Sequence, residues 1–450
     1  MAEQVDVVVL GLGVGGEEVA GRLAEAGLAV VGIEHSLVGG ECPYWACVPS
    51  KMMIRAANLL TEARRIDGMA GHADVTPDWT PVADRIRDEA TDDWNDQVAV
   101  DRFTGKGGRF VRGRGRLTGP GLVDVGGETY EARRGVVLAT GTVPVIPPID
   151  GLGDTPYWTN RDAIEAKTLP ASMLVLGGGA VGLELAQAYA RFGVAVTVVE
   201  ALDRLLPIEE PESSALALSA LEADGIAVQV GTRATAVRND GDQFAVTAGG
   251  DIRAERLLVA VGRRPDLRPL GIDTVGLDPG APAVTVDERM RAGEGLWAVG
   301  DVTGHGAFTH MAMYQAGIAV RDILGEEGPA ADYRAVPRVT FTDPEIGSVG
   351  LTEAQARDAG LDVAVGLAQV PSSARGWIHK AGNEGIIKLV ADAERGVLVG
   401  ATSAGPTGGE VLSALAVAVH AQVPVDTLRH MIYAYPTFHR GIEDALRQLS

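Results

Sequence analysis

An α/β fold built on two copies of one strand–turn–helix–strand unit is what this sequence predicts. Three observations predict it. Two glycine-rich turns, Gly11-Leu12-Gly13-Val14-Gly15-Gly16 and Gly177-Gly178-Gly179-Ala180-Val181-Gly182, each follow an apolar run and open an amphipathic one. A single offset of 166 carries Gly11, Gly13, Gly16, Gly27 and Glu34 onto Gly177, Gly179, Gly182, Gly193 and Glu200. The 59 glycines are dispersed within Val/Ala/Leu runs, as expected of residues that serve turns and close backbone approaches.

The first copy reads as a strand from Val5 to Leu10, the turn, a helix through Glu25, Gly27, and a second strand ending at Glu34. The second reads as a strand from Met173 to Leu176, the turn, a helix to about Arg191, Gly193, and a strand from Val194 to Val199 ending at Glu200. Such a unit suits a dinucleotide. The first glycine makes the tight turn, the second admits the pyrophosphate, and the third packs helix on strand. The helix N-terminus supplies amide donors, and a carboxylate on the next strand accepts from a ribose diol. A lone turn of this type is weak evidence; its repetition with the whole context is strong. Two units imply two dinucleotides with rings that meet, and FAD with NAD(P)H is the pairing this favours. Glu200 suits a 2'-hydroxyl and repels a 2'-phosphate, which favours NAD(H) over NADP(H), while Arg204 and Arg191 leave NADPH open.

At 450 residues the chain is expected to form two to four domains. With 39 basic and 60 acidic residues its net charge is -21, which disfavours nucleic acid and anionic lipid as partners. The basic stretch Arg109, Arg112, Arg114, Arg116 is short and mixed with glycine, and reads as a solvated strand and turn. No apolar run is long enough to span a bilayer. A strand beginning at Val5 leaves no room for a signal peptide, so a cytoplasmic location is expected. Two cysteines do not make a structural disulfide framework, and a pair that persists in a reducing compartment is expected to cycle.

Those two cysteines stand five positions apart in Gly39-Gly40-Glu41-Cys42-Pro43-Tyr44-Trp45-Ala46-Cys47-Val48-Pro49-Ser50-Lys51, a glycine-rich loop feeding a helix that runs through Met52 to Arg65. Across a distorted first helical turn their separation falls within disulfide range, and the helix N-terminus lowers a thiolate pKa. The alternatives are a chance pair of small buried residues or half of a metal site. A metal needs further ligands, and His35 alone of the eight histidines is near in sequence, so no metal site is expected.

The stretch resembles the active-site signature of the class I pyridine nucleotide-disulfide oxidoreductases, the family of dihydrolipoamide dehydrogenase, glutathione reductase and mercuric reductase, and fits its pattern GG-x-C-x4-C-x-P-[ST]-K throughout. The resemblance extends along the chain. Ala139-Thr140-Gly141 with Pro144 is similar to the turn leaving the FAD domain, and Val261-Gly262-Arg263-Arg264-Pro265 to its counterpart closing the NAD domain. Ala298-Val299-Gly300-Asp301 resembles the late FAD motif, whose Asp bonds the ribitol, and Thr309-His310-Met311-Ala312 then lies beside the flavin ring. Arg338 to Glu353 resembles the start of the family's dimerisation domain. The implied fold is two Rossmann-like dinucleotide-binding domains, for FAD and NAD(P), plus a C-terminal α+β dimerisation domain. The implied boundaries are 1–149 with about 271–333 for FAD, 150–270 for NAD(P), and 334–450 for the interface of a homodimer. The resemblance further implies that Gly40 lines the FAD site and that Glu184 pairs with Lys51 near flavin N5. It places Cys47 nearer the flavin as the charge-transfer thiolate, and gives Cys42 the exchange with substrate.

One part of the family pattern is missing. Members that reduce disulfides present a His before Pro and a Glu five positions on; here the stretch Tyr435-Pro436-Thr437-Phe438-His439-Arg440 puts Tyr435 and Arg440 in those places. Thiol–disulfide exchange needs a proton delivered to a leaving thiolate, and a positioned acid/base contributes about 10² to 10⁴ in rate. A phenol of pKa about 10 is a poor base at neutral pH, although it can donate a hydrogen bond. His439 is a second candidate for the role; an ordinary surface histidine is its plainer reading. Tyr44 and Trp45 either wall the substrate mouth or pack against the FAD domain. The function expected is reduction of a small or carrier-bound disulfide, or oxidation of a dithiol. A quinone, metal ion or other acceptor is the alternative that the missing dyad favours. A nucleotide-binding redox sensor with little turnover is the reading that intact cofactor motifs disfavour.

Overall fold

The computed structural model describes residues 2–449, which divide into two compact units. The first comprises residues 2–49, 84–145 and 262–333; the second comprises 50–83, 146–261 and 334–449.

The first unit is organised by an eight-stranded sheet. Its main path runs Arg291–Gly293, Leu296–Ala298, Glu128–Leu138, Glu3–Leu10, Val30–Glu34, Arg109–Arg112, parallel throughout except for the first pair. Val7, Val8 and Val9 are all fully buried, as expected of a central parallel strand covered on both faces. The helix Val14–Glu25 covers one face through Val19, Ala20 and Leu23, beside the helix Thr309–Leu324. The basic stretch forms the strands Arg109–Arg112 and Gly115–Gly119. Two of its arginines form ion pairs: Arg109 with Glu3 at 2.6 Å and Arg112 with Asp96 at 2.6 Å.

The second unit holds a four-stranded parallel sheet ordered Ala227–Gln229, Ala195–Val199, Ser172–Leu176, Arg256–Val259, with the helix Ala180–Arg191 following the second glycine turn. A three-stranded antiparallel sheet over residues 236–254 flanks it. Residues 337–405 contribute a five-stranded antiparallel sheet, ordered Pro337–Thr340, Glu345–Gly350, Val397–Gly405, Ile386–Asp392, Val363–Gln369. The helix Gly408–His420 packs on it through Val411, Leu412 and Leu415. This is the mixed α/β architecture with a C-terminal α+β part that the sequence predicts.

Candidate functional site

The offset of 166 holds down to single hydrogen bonds. In the first unit Gly11 N donates to Ile33 O at 2.9 Å; in the second Gly177 N donates to Val199 O at 2.9 Å. Leu12 N and Ser36 N donate to the two carboxylate oxygens of Glu34, at 2.9 and 2.7 Å. Gly178 N and Leu202 N do the same for Glu200, at 2.5 and 2.7 Å. Burial raises the Glu34 pKa, but bonds from His35, Ser36 N and Leu12 N outweigh it and hold the carboxyl below the usual range. Each acid is thus buried and fixed at a strand end, with acceptor capacity left for a ribose diol.

Both turns fit a dinucleotide. A Cβ on Gly16 would stand 1.9 Å from Gly11 O, and one on Gly182 would stand 2.5 Å from Gly177 O, so helix and turn can meet only without side chains. The middle glycines differ. A Cβ on Gly13 would meet nothing nearer than Gly40 Cα at 3.9 Å, and one on Gly179 nothing within 4 Å, so there the missing side chain leaves room. Neither helix has a side-chain cap, which leaves its first-turn amides for a phosphate.

The cysteine loop docks on the first of these turns. Gly39 forms a bridge with Gly13, and a Cβ on Gly40 would lie 2.8 Å from Gly13 Cα, which accounts for the paired glycines before Cys42. The loop does not form one distorted helical turn. Cys42 lies in a short helix, Glu41–Tyr44, and a break at Trp45 precedes the helix Cys47–Arg64. Both cysteines are partly buried, and Cys47 Sγ lies 3.3 Å from Thr309 Oγ1 at the start of the helix Thr309–Leu324. Ala312 of that helix packs where a Cβ on Gly15 would sit, at 3.1 Å. Tyr44 and Trp45 are buried with ring centroids 5.8 Å apart, which is the packing reading of the two aromatics.

Further sequence-predicted residues of the first unit converge on one chain of polar contacts. Ala139 N donates to Leu10 O at 2.8 Å and brings Thr140 and Gly141 to the end of the central strands. Residues 143–144 pair antiparallel with 263–264, so the two exit turns, one containing Gly262, run side by side. Arg263 lies 3.7 Å from Glu41 and donates to Thr142 Oγ1 at 3.0 Å; Thr142 Oγ1 in turn donates to Asp301 Oδ2 at 2.8 Å. Burial pushes the Asp301 pKa up, against the opposing effects of Thr142 and Arg263. Glycine turn, cysteine loop, exit turns and Asp301 therefore share one region.

Within the second unit Lys51 Nζ donates to Glu184 Oε2 at 2.8 Å and lies 4.6 Å from the Phe341 ring centroid. Glu184 is buried, and its second oxygen accepts from Phe341 N at 2.8 Å. The two arginines that left NADPH open are engaged elsewhere. Arg204 donates to the carbonyls of Pro207 and Glu209 at 2.6 and 2.9 Å, and the buried Arg191 pairs with Asp224 at 3.0 Å and Asp343 at 2.8 Å. Tyr435 is exposed, with Arg440 Cζ 5.3 Å from its ring centroid and Arg440 paired to Glu443 at 3.1 Å. His439 is partly buried, its ring 5.2 Å from that of Tyr433.

Residues 5–316 match the family model "Pyridine nucleotide-disulphide oxidoreductase", and residues 336–446 match the dimerisation domain of the same family. The chain belongs to the pyridine nucleotide-disulphide oxidoreductases. These are flavin-dependent enzymes that bind FAD and a pyridine nucleotide. Dihydrolipoyl dehydrogenase of Haloferax volcanii is 34% identical, with 99% of this chain and 96% of that protein covered. Mercuric reductase of Streptomyces lividans is also 34% identical, over 97% and 94%. Among solved structures, the Cu(II) complex of the HOCl-induced flavoprotein disulfide reductase RclA from Escherichia coli superposes with a TM-score of 0.86 at 26% identity, over 99% of both chains. LpdA from Mycobacterium tuberculosis superposes at 0.85 and 27% identity, again over 99% of both chains.

Sequence reasoning missed a second set of charged residues in this unit. Lys388 Nζ lies 3.0 Å from Glu210, 2.8 Å from Glu212 and 3.0 Å from Glu353, and Arg338 meets Glu209 at 2.7 Å. A lysine in the apolar run Ile386-Ile387-Lys388-Leu389-Val390 was the available signal, since a charge buried in a strand requires partners.

Proposed function

We propose that the enzyme uses NADH and FAD to reduce a disulfide on a small molecule or carrier, or runs the reverse oxidation of a dithiol, through a redox-active Cys42/Cys47 pair. The observation that carries this is the seating of the cysteine loop on the first glycine turn, with Gly40 against Gly13 and Cys47 against Thr309. In this reading residues 1–149 with 271–333 bind FAD, 150–270 bind NAD(H), and 334–450 join two copies in a cytoplasmic homodimer. Support for NAD over NADP comes from Glu200, locked and buried at the ribose position, and from the engagement of Arg204 and Arg191 elsewhere.

FAD when bound supplies the two-electron step that links nicotinamide to sulfur. The rest of the chemistry is this chain's own. Gly11, Gly13, Gly16, Glu34, Gly40, Ala139, Thr140, Gly141, Asp301 and Ala312 hold FAD; Gly177, Gly179, Gly182, Glu200 and Gly262 serve the nicotinamide nucleotide. Lys51 and Glu184 would supply a fixed ion pair to the reaction, and Tyr435 or His439 would move the proton that exchange requires. One NADH and one proton reduce one disulfide to two thiols.

A second reading keeps the cofactors and changes the acceptor to a quinone, metal ion or other non-disulfide. Its support is the exposed Tyr435 stacked by Arg440 where the family pattern has a His and a Glu, together with the mercuric reductase relatives and the Cu(II) complex among similar structures. Steady-state assays of NADH and NADPH against lipoamide, low-molecular-weight disulfides, quinones and metal ions separate the readings. Loss of physiological turnover in both Cys42→Ser and Cys47→Ser supports the first. Turnover untouched by either substitution sinks it.

A further inference from the structure

We infer that Arg191 and Asp343 are positioning residues for the Lys51–Glu184 pair, a role that rests on the proposal that this pair serves the reacting rings. Lys51, Asn58 and Arg65 are seven residues apart, so those on the helix Cys47–Arg64 share one face and Arg65 continues the row just past its end. Glu184, Gln187 and Arg191 share one face of the helix Ala180–Arg191. The two rows are cross-linked: Lys51 to Glu184 at 2.8 Å, and Arg191 Nη1 to Asn58 Oδ1 at 2.6 Å.

The segment Phe341–Asp343 closes the ladder. Asp343 N donates to Gln187 Oε1 at 2.8 Å, Gln187 Nε2 donates to Asp343 O at 3.0 Å, and the Asp343 carboxylate takes Arg191 at 2.8 Å and Arg65 at 2.9 Å. Two residues earlier, Phe341 N donates to Glu184 Oε1. The Glu184 carboxylate is therefore divided between a backbone amide, whose place Asp343 sets, and the ammonium of Lys51. Arg191 holds Asp343 from a side chain only 2% exposed, with Asp224 as its second anion. Three cations, Lys51, Arg65 and Arg191, meet four carboxylates, Glu62, Glu184, Asp224 and Asp343. Loss of either central member removes the buried Arg191–Asp343 pair that holds residues 341–343 against the helix Ala180–Arg191, and the segment that fixes Glu184 then shifts. A misplacement on the order of 1 Å at a reacting group costs up to about 10²-fold in rate.

The test uses FAD-loaded enzyme and measures kcat and KM for NADH in Asp343→Asn, Arg191→Met, Lys51→Met, Glu184→Gln and the double variant Glu184→Gln/Asp343→Asn. A positioning role gives Asp343→Asn and Arg191→Met a kcat lower by about 10- to 100-fold with KM for NADH within about twofold. In the double variant kcat falls no further than in Glu184→Gln alone, because one geometry has already been lost. Asp343→Asn keeps size and backbone, so it stays informative if Arg191→Met fails to fold. The inference is overturned if both central variants melt lower yet keep wild-type kcat per bound flavin, or if the Glu184 and Asp343 effects multiply. Should Lys51→Met and Glu184→Gln themselves leave kcat unchanged, the role of the pair fails instead.

Discussion

Replacing Lys388 by Met isolates the buried charges that the second unit depends on. The lysine stands in the strand Ile386–Asp392 with 3% of its side chain exposed, facing Glu210, also 3% exposed, and the more accessible Glu212 and Glu353, at 35% and 31%. Burial alone would lower the lysine pKa, but bonds to Glu212, Glu210 and Glu353 outweigh it and raise the pKa beyond the usual lysine range. A raised lysine gives its stability fully below the unfolded pKa of about 10.4, so the contribution is complete at neutral pH. Removing one partner of a buried pair costs about 3–5 kcal/mol. Glu212 and Glu353 can turn to water, so their share is discounted, and about 3 kcal/mol remains for Glu210. The unit holds about 270 residues; at about 2.1 cal/mol/K each, its unfolding entropy is near 0.57 kcal/mol/K and the drop in Tm is about 5 °C. Calorimetry of Lys388→Met and of Lys388→Met/Glu210→Gln measures this, with the double variant expected to recover most of the loss. A single variant within about 1 °C of wild type, or a double variant no better than the single, refutes the reasoning.

Gly16→Ala places a Cβ 1.9 Å from Gly11 O, and Gly182→Ala places one 2.5 Å from Gly177 O. The first is expected to purify without flavin. The second should stay yellow with a raised KM for nicotinamide nucleotide, and the opposite assignment in absorbance and kinetics contradicts the order of the two sites. Glu34 has a depressed pKa, so its stabilising effect is present above the unfolded value of about 4.3 and is lost as pH falls through the lower folded value. Flavin release followed by fluorescence should rise in that acid window, and Glu34→Gln should release flavin already at neutral pH; identical curves count against the role. If Tyr435 delivers the proton, Tyr435→Phe lowers kcat with lipoamide by about 10²-fold and His439→Ala does not; the reverse pattern moves the role to His439.

The repeat was legible because it is local. Glycines, apolar strands and a terminal acid lie within thirty or so residues of each other, and the offset that aligns Glu34 with Glu200 also aligns the amides of Leu12 and Gly178 that bind them. The cysteine motif was legible for the same reason. The break at Trp45 was not, since nothing in the spacing of Cys42 and Cys47 tells one distorted turn from two helices. The partners of Arg191 were not legible either. That arginine left NADPH open, and nothing near it in sequence points to Asp343, 152 residues away, which it meets at 2.8 Å. Charge pairs at such separations leave no periodic trace, and the same holds for Lys388 with Glu210, 178 residues apart.

In the proposed reaction the two sulfurs of the chain interconvert between bonded and thiol forms at the expense of nicotinamide. Since the sequence has two cysteines and no more, a thiol count in denaturant reads this directly. Aerobically purified, flavin-loaded enzyme should show no thiol per chain, and the same enzyme quenched anaerobically after one equivalent of NADH should show two. A count that NADH does not change, whether two throughout or none throughout, contradicts it.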